Sequence, residues 1–88
     1  MKKTYIITYD MSGEGDYEEL YEAIKEYGTW AHINDSTWAI VTEDKAKEIR
    51  DYLIDYLTDG SSLFVIKSGT EAAWRNITCS NKWLKKNL

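Results

Sequence analysis

Thr4-Tyr5-Ile6-Ile7-Thr8-Tyr9-Asp10 decides the fold. β-branched and aromatic residues fill it, and such side chains suit a pleated, half-buried surface. Asp10 closes the run, and Met11-Ser12-Gly13-Glu14-Gly15 follows as a Gly- and Ser-rich loop. Asp16 then stands as a helix N-cap with Glu19 three residues on, the spacing of a capping box. Tyr17, Leu20, Tyr21, Ile24 and Tyr27 recur at helical spacing, while Glu18, Glu19, Glu22 and Lys25 take the other side. Gly28 suits the left-handed position past the helix end, so the spacing predicts a helix over 17–27. This β-loop-α unit sets one carboxylate, Asp10, at the rim of a sheet.

Working outward, 29–33 and 36–42 read as two strands joined by Asn34-Asp35, residues that tolerate positive φ. Trp30 and His32 share one face of the first; Trp38 and Ile40 share one face of the second. Thr42 is placed to cap a second helix with Glu43 and Asp44 in its first turn and Ala46, Ile49, Leu53 and Leu57 along one face. Asp59-Gly60 is expected to stop it. Leu63-Phe64-Val65-Ile66 is apolar on both faces, the pattern of a well-covered strand. The order β-α-β-β-α-β is the ferredoxin-like α+β plan: four antiparallel strands with the first and third in the centre and two helices on one face. Residues 1–69 are thus one domain. Residues 70–88 are an extension, expected to bring Trp74 and Trp83 over the open sheet face or onto a second subunit, with both largely buried.

Eighty-eight residues support only a small core, which four Trp and seven Tyr enlarge. Sharing a core or an edge with a second copy is another remedy. Cys79 is the single cysteine, so no disulfide forms within the chain, as suits a reducing compartment. The apolar stretch after Lys2 and Lys3 is short and interrupted, unlike a signal peptide or membrane span. A cytoplasmic protein without a membrane partner is the expectation. The net charge of −4 divides unevenly: six basic against fourteen acidic residues through Ile66, and five against one from Lys67 on. An acidic body disfavours non-specific nucleic-acid binding, though Lys82, Lys85 and Lys86 offer a local strip for phosphate contacts.

Tyr9-Asp10 at a strand end, the helix closing at Gly28, and the hairpin bearing Trp30 and Ser36-Thr37-Trp38 resemble the CRISPR-associated Cas-two family and its SinR-like relatives. The resemblance covers residues 4–67. It implies a ferredoxin-like homodimer with an acid at the end of the first strand, matched by Asp10. In members reported as metal-dependent nucleases, that acid from both copies binds one divalent cation. The chain departs from the pattern after Asp10, where Glu14, Asp16, Glu18 and Glu19 replace the arginines often found there, and in the tail after residue 67.

Asp10 is accordingly the candidate catalytic and metal-binding residue, with Mg²⁺ or Mn²⁺ as the cofactor, since hard cations take carboxylates, waters and phosphates. Its structural alternative is to cap the amides of Met11 to Gly13. His32 is either a general base or a packed, hydrogen-bonded histidine on a strand face. Cys79 has no second histidine for a dyad and reads as a small packed thiol. Trp30, His32, Trp38, Trp74 and Trp83 would form a base-stacking platform or an interface. The Gly-x-Gly at Gly13 and Gly15 lacks the lysine of a phosphate loop. Three functions follow as expectations: a binding or scaffold homodimer with a protein partner, with or without nucleic acid; a metal-dependent endonuclease using Asp10 from two subunits; and a nucleotide or small-signal binder at a dimer seam.

Overall fold

The computed structural model describes residues 1–88. Four strands, β1 (Lys3–Asp10), β2 (Thr29–Asn34), β3 (Thr37–Thr42) and β4 (Ser62–Lys67), alternate with helices α1 (Tyr17–Lys25), α2 (Ala46–Leu53) and α3 (Asn81–Asn87). The sheet order is β2-β3-β1-β4 and every pairing is antiparallel. This is the ferredoxin-like α+β arrangement, with β1 and β3 central.

Side-chain alternation along β1 sorts the molecule into layers. Tyr5, Ile7 and Tyr9 point into a core shared with Leu20, Ala23 and Ile24 of α1, Trp38 and Ile40 of β3, and Ile49 and Leu53 of α2. Thr4, Ile6, Thr8 and Asp10 therefore face the other way. On that reverse side Ala31, Ala39 and Leu84 of α3 are also buried. The Thr4 hydroxyl donates to the carbonyl of Asn87 at the end of α3. α3 thus covers the β2-β3-β1 part of the reverse face.

The N-terminus of α1 follows the sequence closely. Asp16 Oδ1 accepts from the amides of Glu18 at 3.0 Å and Glu19 at 3.3 Å, satisfying donors with no partner inside the helix. The helix closes at Lys25, short of the expected 27, and Gly28 turns the chain at φ +89°. Gly15 has a packing reason: a Cβ there would lie 1.7 Å from the Sδ of buried Met11.

Four local expectations are corrected. The hairpin turns at Asp35-Ser36, and a bulge between His32 and Asn34 accommodates the extra residue of β2. Thr42 does not cap α2; its hydroxyl accepts from Asp44 in a local turn, and α2 starts after Lys45, whose amide donates to Glu48 Oε1 at 3.0 Å. α2 ends at Leu53 and passes into a 3₁₀ turn, Ile54–Tyr56, well before Gly60. β4 is not a covered strand. It is a sheet edge, with Phe64 58% and Ile66 50% exposed on its reverse side. A run apolar on both faces reads as covered only if something lies over both, and α3 stops short of β4.

Two substitutions test these layers. Tyr9→Phe strands the buried Trp38 indole N–H, which donates to the Tyr9 hydroxyl at 3.1 Å, and should cost about 1–3 kcal/mol in urea denaturation. Leu84→Ala should lower the unfolding free energy by about 2–4 kcal/mol and shift the main midpoint, whereas an independently unfolding tail would leave that midpoint unchanged.

Candidate functional site

The parity of β1 separates the candidate residues. Asp10 is exposed at the strand end, opposite Ser62, on the reverse side of the sheet. With Thr8, Ser62 and Phe64 it borders a shallow depression of about 300 Å³. Loop amides do not depend on it: the Ser12 N–H donates to Ser61 Oγ at 2.8 Å, and the Thr58 hydroxyl donates to the Ser12 carbonyl. The capping role weighed for Asp10 at Ser12 thus falls to Ser61. No group of three or more His, Cys, Asp or Glu side chains is disposed to hold a metal ion, so a cation at Asp10 would need ligands from outside the chain.

Trp30, His32 and Trp38 are brought together on the opposite, helix-covered side. His32 stacks on Trp38 with ring centroids 4.0 Å apart and an interplanar angle of 13°. Tyr21 from α1 meets His32 edge-on at 5.1 Å, and His32 Nε2 lies 3.5 Å from the Asp35 carbonyl oxygen. Trp38 is 1% exposed, with Trp30 against it at 5.3 Å, so it is core and offers no free face to a base. Trp30 is 37% exposed and carries Lys25 Nζ 5.2 Å above its ring, a cation–π contact. His32 thus packs, half-buried, against Trp38 and Tyr21 on the face away from Asp10.

The tail forms a third group. Thr78 docks on the outer edge of β2, its amide donating to the Ile33 carbonyl at 3.0 Å and its hydroxyl to the His32 carbonyl at 2.6 Å. Trp83 joins Trp30, His32, Thr78 and Cys79 around a recess of about 420 Å³. Trp74 is fixed by its indole N–H donating to Asn81 Oδ1 at 2.9 Å. Both tail tryptophans are half-buried rather than enclosed. Burial pushes the Cys79 thiol up, which keeps it protonated and poorly nucleophilic. Lys82, Lys85 and Lys86 are exposed on α3; the last two lie in its final turn, where the helix dipole favours cations.

Two features escaped the sequence. Glu26, Tyr27, Asp44, Glu48 and Tyr52 surround a recess of about 470 Å³ between α1 and α2. Its residues come from the turn after α1, the loop before α2 and α2 itself; Tyr27 and Asp44 were read only as local helix signals, and nothing in the sequence brought them together. The second is the exposed apolar pair Phe64 and Ile66 on the reverse side of β4, with Ile54, 54% exposed, on the helix side near Leu63. No family model, curated protein or solved structure matches the chain.

The recess makes stability depend on alkali. Burial, then the Asp44 and Glu48 carboxylates, pushes Tyr27 up to about 12. Burial also raises Tyr9. In the unfolded chain a tyrosine ionises near pH 10, so the folded state holds these protons more tightly. Their contribution is intact below about pH 10 and is lost as pH rises through the folded-state value. Urea denaturation at pH 8 and pH 11 should show stability falling at the higher pH, with Tyr27→Phe showing a smaller fall.

Proposed function

We propose that the protein is a binding and scaffold module that works as a homodimer, similar in kind to the Cas-two family, in the cytoplasm. The observation that supports it most is the uncovered β4 edge. Phe64 and Ile66 on its reverse side and Ile54 on its helix side are the most exposed large apolar residues after Met1. Such a concentration marks an interaction surface rather than scattered surface apolarity. A protein partner is favoured over nucleic acid, because the body through Ile66 is acidic and the basic strip on α3 is small. No helix is long and apolar enough to cross a membrane.

A second reading, a divalent-metal-dependent endonuclease, is favoured by the exposure of Asp10 at the sheet rim. It requires two copies to bring their Asp10 carboxylates to one Mg²⁺ or Mn²⁺ ion, which would then activate a water for attack on a phosphodiester. The two readings separate in one assay. Purified protein should elute as a dimer and leave single- and double-stranded RNA and DNA intact with either cation. Cation-dependent cleavage that Asp10→Ala abolishes would instead establish the nuclease.

A further inference from the structure

The two edges of the sheet are treated differently. β2 carries a bulge, and the chain's own Thr78 bonds the His32 and Ile33 carbonyls at its end. β4 carries neither device, and its one charged residue, Lys67, lies at its end. The outward groups of β4 can be identified. The Ser68 amide donates to the Thr4 carbonyl at 2.9 Å in the β1–β4 register, so even-numbered residues bond towards β1. Leu63, Val65 and Lys67 therefore turn their N–H and C=O groups to the free edge.

We propose that this edge pairs antiparallel with the β4 edge of a second copy, with Val65 on the two-fold axis. The pairing deepens the homodimer of the proposed function and rests on it. Three properties of the strand select this partner and register. A two-fold axis normal to the sheet keeps each face on its own side, so only even register sums are allowed. Among these, the one that sets Val65 against Val65 lets Leu63, Val65 and Lys67 use every outward N–H and C=O group of the strand. It also sets Phe64 against Ile66 in both directions, closing the exposed residues into one cross-strand apolar cluster on the reverse side. On the helix side Ile54, which borders a recess with Leu63, sits at the same flank and adds to the seam.

The size of the surface fits a reversible dimer. Phe64, Ile66 and Ile54 leave roughly 300 Å² of apolar side chain per protomer, taking about 150–200 Å² for a whole side chain. With the strand backbone the pair buries on the order of 1,000 Å², at the low end of specific interfaces. This seam also keeps the two Asp10 residues apart. Asp10 lies opposite Ser62, three positions from Val65. At about 3.4 Å per residue and about 4.8 Å between strands, the two Asp10 backbones stand roughly 25 Å apart, too far to share one cation.

Sedimentation of the full chain from about 1 to 200 µM should show a monomer–dimer equilibrium that Phe64→Glu with Ile66→Glu weakens at least tenfold. Both residues are exposed, so the double variant should keep the wild-type circular dichroism. In a Cys79→Ser background, Val65→Cys should form a disulfide-linked dimer on mild oxidation, because paired strand positions fall within disulfide reach of about 4.4–6.8 Å. Phe64→Cys, whose copies would sit two residues out of register, should not. A monomer at every concentration would overturn both this seam and the homodimer. A dimer that survives the double glutamate variant, or that cross-links through Asp10→Cys but not Val65→Cys, would overturn the seam alone.

Discussion

The Tyr9 hydroxyl ties three parts of the sheet together. It accepts from the Trp38 indole N–H and donates to the Asp35 carbonyl, both at 3.1 Å. One phenol thus ties β1 to β3 and to the turn joining β2 to β3. Because Tyr9 must point inward to make these bonds, its neighbour Asp10 must point to the reverse face. The same requirement puts Trp38 under α1, and Trp38 in turn supplies the surface on which His32 lies flat. The separation of the acid from the aromatic cluster therefore follows from the period of two along one strand.

That separation bears on the chemistry the chain can perform. A general base and a metal-binding acid are useful together only if both reach one substrate atom. Here the only histidine and Asp10 lie on opposite faces of the sheet. A nuclease built on this chain would have to draw everything except one carboxylate from a second subunit, the cation and the substrate. The binding reading asks less of the geometry, since an uncovered edge flanked by apolar side chains needs only a complementary strand.

The central architecture was legible because it rests on local signals. Alternation in 4–10, the Asp16 cap and the spacing of Leu20 and Ile24 each act within a few residues, and all agree with the observed elements. What was illegible depends on distant chain. Leu63 to Ile66 has the composition of a buried strand, and only the resting place of α3 determines that Phe64 and Ile66 stay bare. Thr42 had the chemistry of a cap, but Lys45 and Glu48 form the competing closure nearer the helix. The attachment of Thr78 to β2 joins residues 45 and 46 positions apart and had no precursor in composition or periodicity. For the acidic recess, Tyr27 fitted the apolar face of its helix, and nothing in the linear order placed Asp44 and Glu48 beside it.

Thr78 has a consequence for how far the protein can polymerise. By bonding the His32 and Ile33 carbonyls, it blocks one end of the β2 margin and leaves β4 the more open of the two strand borders. An edge already bonded by its own chain is a poorer template for a further strand than a bare one, so chain-on-chain growth through β2 is disfavoured. The short polar stretch around Thr78 thus acts as a partial stopper against strand-on-strand stacking in an aromatic-rich, β-rich sequence.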